Sequence, residues 1–245
     1  MKIALFGYGK MGHEVELAAR ERGHEIVVTF DRPEQIDRET LRHAEAIVDF
    51  TEPASVRGNV EHAAALTLPI VIGTTGWKND RDAVETMVKR AGIGCIVATN
   101  FSIGVNLFLA VVREAAAKFG TAGYDAYVLE AHHRMKKDYP SGTAITLANA
   151  MVDAMPNKSH TIHDLSQGEP IANDALLVSS LRSGSITGTH TVGFESDVDS
   201  VELAHRAKSR KGFALGAIRA AEWIVGRQGM YQFEEHVADI IGIGQ

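Results

Sequence analysis

Lys2-Ile3-Ala4-Leu5-Phe6-Gly7-Tyr8-Gly9-Lys10-Met11-Gly12 decides how the first half of this chain folds. A short apolar run enters three glycines at the spacing G-x-G-x-x-G, and the following residues read as a helix over 11–22 and a second strand over 25–30. Strand, glycine turn and helix in that order form the dinucleotide fingerprint. Gly7 permits the tight turn, Gly9 lets backbone approach a pyrophosphate, and Gly12 lets the helix pack close to the strand. Unpaired N–H groups at the helix start favour an anion there. Asp31 closes the second strand, where an acidic residue meets the two free hydroxyls of the NAD ribose. Arg32 beside it either neutralises the extra phosphate of NADP or is a solvated surface charge. The pair predicts use of both NADH and NADPH.

The same alternation continues to about residue 100. Strands are expected at 46–50, 69–72 and 94–98, and helices at 55–66 and 80–90, the pattern of a parallel sheet covered on both faces. Two turns follow strand ends, Asp49-Phe50-Thr51-Glu52-Pro53 and Gly73-Thr74-Thr75-Gly76. Ligands sit outside the carboxyl ends of the strands in such sheets, so these loops should border the nicotinamide end of a cofactor. Plain strand-to-helix turns would equally explain Thr51 and Glu52 taken singly.

After Asn100-Phe101-Ser102-Ile103-Gly104-Val105-Asn106 the pattern changes. A long helix to about 119 is followed by a strand from 125, a helix over 144–155, and strand-like runs at 176–182, 186–194 and 197–207. Consecutive strands without helices between them suggest a mostly antiparallel sheet. The reading is an α/β fold: a Rossmann-like parallel-sheet domain over 1–100 for the dinucleotide, and an α+β domain over 101–211 for substrate and oligomerisation. The closing helix near 212–225, and the residues to 245, are expected to return to the first domain.

The densest chemistry lies in Glu130-Ala131-His132-His133-Arg134-Met135-Lys136-Lys137-Asp138-Tyr139-Pro140-Ser141-Gly142-Thr143-Ala144. Side chains alternate between faces along and just past a strand, so His132 and His133 should point different ways. One imidazole, a group that titrates near neutrality, can face a pocket while the other orients it or binds ligand; spacing does not say which. Ser141 reads as the N-cap of the next helix, whose first N–H groups and Thr143 hydroxyl would form a carboxylate or phosphate site, with Lys136 adding a full charge. A capped helix and a surface His pair are the plain alternatives for any one of these residues.

Composition narrows the classes. The 245 residues are 45% hydrophobic and 23% charged with a formal net charge of −6, which gives no reason to expect nucleic acid. Apolar runs are too short and too often broken by charge to span a bilayer, and Met-Lys-Ile enters a strand with no signal-peptide pattern, so a cytoplasmic protein is the expectation. Cys95 sits in an apolar strand and reads as core rather than nucleophile. No metal is expected: no third ligand accompanies the His pair or His160-x-x-His163 at a recognisable spacing.

Taken together, the 130–144 element, the Gly7–Gly12 fingerprint, Gly73-Thr74-Thr75-Gly76, Asn100-Phe101-Ser102 and His205-Arg206-Ala207-x-Ser209-Arg210 resemble the 4-hydroxy-tetrahydrodipicolinate reductase family over nearly the whole chain. The E-x-H-H-x-x-K-x-D-x-P-S-G-T-A element is specific to that family. The resemblance implies NADH- or NADPH-dependent reduction of a hydroxylated tetrahydropyridine dicarboxylate, with loss of water, in the diaminopimelate route to lysine. It makes His132 the general acid, Lys136 its catalytic partner, and His133, Thr75, Ser141, Gly142 and Thr143 substrate contacts. Gly7, Tyr8, Gly9, Lys10, Met11 and Gly12, with Asp31 and Arg32, would hold the cofactor. Phe50, Thr51, Gly73, Thr74, Thr75, Thr99, Asn100 and Phe101 would enclose its nicotinamide. It also implies a homotetramer joined through the sheets of the second domains. Tyr139 departs from the Ala usual before Pro-Ser-Gly-Thr, and little chain separates Asp31 from the strand at Ala46, which leaves the adenosine end more open. A related reductase acting on another amino-acid-like substrate would lack the His-His-Lys-Pro-Ser-Gly-Thr loop, and a nucleotide sensor would need no proton donor.

Overall fold

The computed structural model describes residues 1–31, 36–165 and 168–243, so Arg32 lies outside the described residues. In chain order the first elements are β1 (Lys2–Phe6), α1 (Lys10–Glu21), β2 (Glu25–Phe30), α2 (Arg38–Leu41), β3 (Ala46–Asp49), α3 (Val56–Ala65), β4 (Ile70–Ile72), α4 (Arg81–Ala91) and β5 (Gly94–Val97). Then come α5 (Ile103–Thr121), β6 (Asp125–His132), α6 (Gly142–Ala154), β7 (His160–Ile162), β8 (Ala175–Arg182), β9 (Thr189–Glu195) and β10 (Ser200–Arg206). The chain closes with α7 (Lys211–Ile224), β11 (Gly229–Gln232) and α8 (Phe233–Ile241). Contacts divide it into two units, Met1–Ile103 with Arg210–Gln245, and Gly104–Ser209.

The first unit holds a six-stranded sheet in the order β11-β5-β4-β3-β1-β2, parallel throughout. Burial on both faces explains the unbroken apolar runs: every residue of β3, β4 and β5 is buried, as are Ile3 to Phe6 of β1. Cys95 is among them, and burial pushes its thiol up to about 12, far from a nucleophile's range. Strand order reverses at β1, which has β2 on one side and β3 on the other, so the carboxyl ends of β1 and β3 form the switch-point crevice. α7 packs on α1 and on β3, β4 and β5 through small residues; a Cβ at Gly216 would stand 1.8 Å from the Phe101 carbonyl oxygen. Among the described residues no helix is long and apolar enough to cross a membrane.

The second unit's sheet runs β10-β9-β6-β8-β7. It is mixed rather than mostly antiparallel: β10–β9 and β9–β6 are antiparallel, whereas β6–β8 and β7–β8 are parallel. The reason is the crossover through α6, which returns the chain in its original direction. Along β6 burial alternates, with Ala126, Val128, Glu130 and His132 on the covered face. Val128, Leu176, Val178, Val192 and Phe194 meet Val112, Ala116, Leu147 and Met151 of the helices there. The opposite face carries Leu129 and Leu181, 42% and 50% exposed.

Candidate active site

In the first unit, the three fingerprint glycines separate by what surrounds them. Gly7 has φ +84°, and a Cβ on it would lie 2.3 Å from the Phe50 carbonyl oxygen; one on Gly12 would lie 2.4 Å from that of Gly7. Both are demanded by the protein's own packing. A Cβ on Gly9 would meet nothing within 4 Å, so the protein leaves room there, as a pyrophosphate approaching the start of α1 requires. Gly9 is the N-cap of α1, and no acidic side chain stands in its first turn to compete with an anion. Tyr8 leans on His13, ring centroids 4.2 Å apart, and its hydroxyl donates to Glu16; Lys10 and Asp31 are exposed. The residues present therefore fit a dinucleotide.

Asp49 ties the two neighbouring loops together. Fully buried at the end of β3, it accepts from the Thr51 backbone N–H (2.8 Å) and hydroxyl (2.7 Å), from Asn59 Nδ2 (2.9 Å) and from the Thr74 hydroxyl (3.0 Å). Burial raises its carboxyl above the usual range, against the lowering effect of those hydrogen bonds. Thr51 and Thr74 thus help set these two loops from within, while Thr75 and Thr99 are exposed. The Phe50 ring fills the space where a Cβ of Gly73 would be, 2.1 Å away. Phe101 is buried between Phe50 and Phe233, its carbonyl against Gly216; Asn100 Oδ1 accepts from the Ser102 N–H at 2.9 Å.

In the second unit, His132 is 8% exposed and ends β6, while His133 follows half-buried. His132 Nδ1 stands 2.5 Å from Glu130 Oε2. That carboxylate also takes Arg182 in a two-pronged grip, Nη1 to Oε2 at 2.9 Å and Nη2 to Oε1 at 2.7 Å, and the Ser141 N–H at 3.2 Å. Although burial pushes Glu130 up, Arg182, Ser180 and His132 hold it down to about 2. Ser141 is the N-cap of α6, accepting from the Ala144 N–H at 3.3 Å, and its hydroxyl lies 3.1 Å from His190 Nε2. Gly142 and Thr143 occupy the first turn. His190 meets His132 edge-on, centroids 5.2 Å apart; burial, then the charges of His132 and others, pushes it down to about 4, so it is neutral at neutral pH. Lys136 Nζ donates to Asp138 at 2.9 Å, and Tyr139 projects outward, 71% exposed.

Glu130, Arg182, His190 and Asp49 carry these arrangements and were not singled out as site residues by the sequence. The signal for Glu130 was its shared face with His132 two residues on; Arg182 had none, because its pairing opposite His132 depends on the parallel β6–β8 register.

Models of dihydrodipicolinate reductase match the chain in two parts, the N-terminus over residues 1–101 and the C-terminus over 104–237. It is 35% identical over 243 residues to the 4-hydroxy-tetrahydrodipicolinate reductase of Christiangramia forsetii, covering 98% of this chain and 99% of the relative. Over 255 residues it is 37% identical to that of Zymomonas mobilis, covering 99% and 98%. Among solved structures, a dipicolinate-bound dihydrodipicolinate reductase from Paenisporosarcina sp. TG-14 is similar in fold, with TM-score 0.79, 23% identity, and 96% and 98% of the two chains covered.

Proposed function

The chain belongs to the dihydrodipicolinate reductase family, and on that footing we propose how its residues carry the reaction. The enzyme reduces 4-hydroxy-tetrahydrodipicolinate to tetrahydrodipicolinate with NADH or NADPH, releasing water, in lysine biosynthesis via diaminopimelate. When bound, the nicotinamide cofactor supplies a hydride; overall one hydride and one proton enter and one water leaves. The observation that carries our assignment of the proton is the buried His132, with one ring nitrogen fixed by a carboxylate and the other unclaimed by it. His132 is the general acid, giving its proton from Nε2. Lys136 supports it, and His133 with Ser141, Gly142 and Thr143 receives the substrate carboxylates at the start of α6, where aligned N–H groups favour an anion. Thr75 is a further carboxylate contact implied by the family.

The Gly7–Gly12 turn and Asp31 hold the cofactor, with Arg32 available to a 2′-phosphate and the loops at Phe50-Thr51, Gly73-Thr74-Thr75 and Thr99-Asn100-Phe101 around the nicotinamide. Residues 1–100 and the closing helices form the dinucleotide domain, and 101–211 the substrate and assembly domain. The uncovered sheet face around Leu129 and Leu181 supports a homotetramer built through these sheets, which sedimentation velocity would test against Leu129→Glu. Biosynthetic relatives support a cytoplasmic location.

The deciding experiment follows loss of nicotinamide absorbance with substrate generated in place from pyruvate and aspartate semialdehyde by the preceding synthase, using NADH and NADPH in parallel. Oxidation that stops without the synthase supports the reaction and ranks the cofactors. His132→Gln is expected to lower turnover far more than cofactor binding; equal losses in both would make His132 structural.

A further inference from the structure

Both Glu130 oxygens take donors, Oε1 the Ser141 N–H and Arg182 Nη2, Oε2 Arg182 Nη1, and His132 Nδ1 faces Oε2. Because carboxylate cannot donate, the ring nitrogen facing it carries the proton: His132 is an Nδ1–H donor, and Nε2 is the nitrogen left to act. Arg182 is itself held, its guanidinium donating to the Leu181 and Asp138 carbonyls at 2.8 and 2.7 Å, so the carboxylate cannot swing away from the ring. On the far side of the imidazole a Cβ at Gly188 would come within 3.0 Å of Nε2, so that glycine keeps a side chain off the reactive nitrogen. The charged and titratable groups around the pair are Arg182 on β8, His190 on β9, His205 on β10, and Lys136 with Asp138 in the loop.

We propose that Glu130, clamped by Arg182 and the Ser141 N–H, is the positioning residue of the proton donor: it fixes the Nδ1–H form of His132, aims Nε2 past Gly188, and stabilises positive charge on the ring. This rests on the assignment of His132 as general acid. The proton leaves Nε2, the N–H bond there breaking as the substrate's new bond to hydrogen forms; Nδ1 keeps its proton and Glu130 stays ionised throughout. Gln cannot substitute, because either orientation of its amide sets an NH2 against donors.

Glu130→Gln, Glu130→Gln combined with Arg182→Met, and Glu130→Asp test the idea beside His132→Gln. The expected result for Glu130→Gln is a fall in kcat on the order of 10²-fold, the scale of a lost supporting partner, with KM for the nucleotide unchanged. The alkaline limb of the kcat profile should move to lower pH, since removing an anion disfavours the imidazolium. The double variant, which removes the stranded guanidinium, should show the same kinetic signature at near-wild-type melting temperature, and Glu130→Asp should recover part of the turnover and of the limb. Equal losses in kcat and nucleotide affinity with the limb unmoved would overturn the role. If His132→Gln leaves turnover intact, the acid assignment fails first; if His132→Gln is inactive and the Glu130 variants are not, only the positioning fails. Nitrogen-15 NMR of histidine-labelled wild-type enzyme decides even if no variant folds: a neutral His132 protonated on Nε2 would rule the proposal out.

Discussion

Asp49 and Glu130 are both carboxylates with no exposed surface, each at or near the end of a strand in its own unit, yet their acidities move in opposite directions. Asp49 meets only neutral donors, from Thr51, Asn59 and Thr74, and burial wins. Glu130 meets a guanidinium in two-pronged contact, and the cation wins. Burial alone therefore does not set the sign of a shift; whether a charge of opposite sign shares the burial does. The sharpest way to break this contrast is to make the same amide replacement at both. Glu130→Gln strands Arg182 against an NH2 and should cost about 3 kcal/mol of stability, the scale of a broken buried pair, whereas Asp49→Asn strands no ion. Urea unfolding at neutral pH measures both, and equal losses would end the contrast.

Next in size are the glycines on either side of the fingerprint turn. Gly7→Ala forces a Cβ onto the Phe50 carbonyl in a left-handed conformation, so a loss of about 2 kcal/mol is expected in thermal unfolding. Gly9→Ala meets no protein atom and should leave unfolding unchanged while weakening NADH binding by titration calorimetry. Gly188→Ala crowds His132 Nε2 and should lower kcat about tenfold, roughly 1.4 kcal/mol of barrier, with little effect on nucleotide KM.

Acid unfolding separates the two carboxylates by sign. Glu130 is lowered from 4.5 to about 2, so the stability it contributes is complete above about pH 4.5 and disappears as pH falls toward 2. Asp49 is raised above 3.8, so its contribution is present below that value and lost as pH rises through its folded value. Removing Glu130 together with Arg182 should flatten the acid side of the stability profile, and Asp49→Asn should steepen it. Unfolding free energies between pH 2 and 6 check both slopes.

Legibility in the sequence followed the range of the interactions. The turn at Gly7–Gly12 was readable because glycine spacing and the flanking strand and helix are local, and Ser141 because an N-cap needs only its own helix. The Glu130–His132 pair was readable in principle, two residues apart on an alternating strand. Arg182, 52 residues from Glu130, was not, since antiparallel pairing was the expectation and the parallel β6–β8 register places it there. β11 escaped because four residues beginning at Gly229 carry no period and pair only with β5. α2, a single turn, rests on its Asp37 cap rather than on an apolar stripe.

The smallest expected effect is the most discriminating for how Asp49 works. Its Oδ2 receives Asn59 Nδ2, while Asn59 Oδ1 is buried with no hydrogen-bond partner. Turning that amide over would set Oδ1 against the NH2 introduced by Asp49→Asn, exchanging the orphaned oxygen for an Nδ2 that gives up the Thr51 hydroxyl, while Oδ1 of the new side chain still takes the Thr51 N–H. The variant should therefore stay within about 1 kcal/mol of wild type in urea at neutral pH, with KM for NADH little changed, because the loops remain tied without a charge. A loss approaching that of Glu130→Gln would mean that the ion itself, despite lacking a cation, holds the Thr51 and Thr74 loops. Asn59→Leu distinguishes the two accounts: combined with Asp49→Asn it removes the amide that turns, so the double variant should fall below either single one if the exchange is what preserves stability.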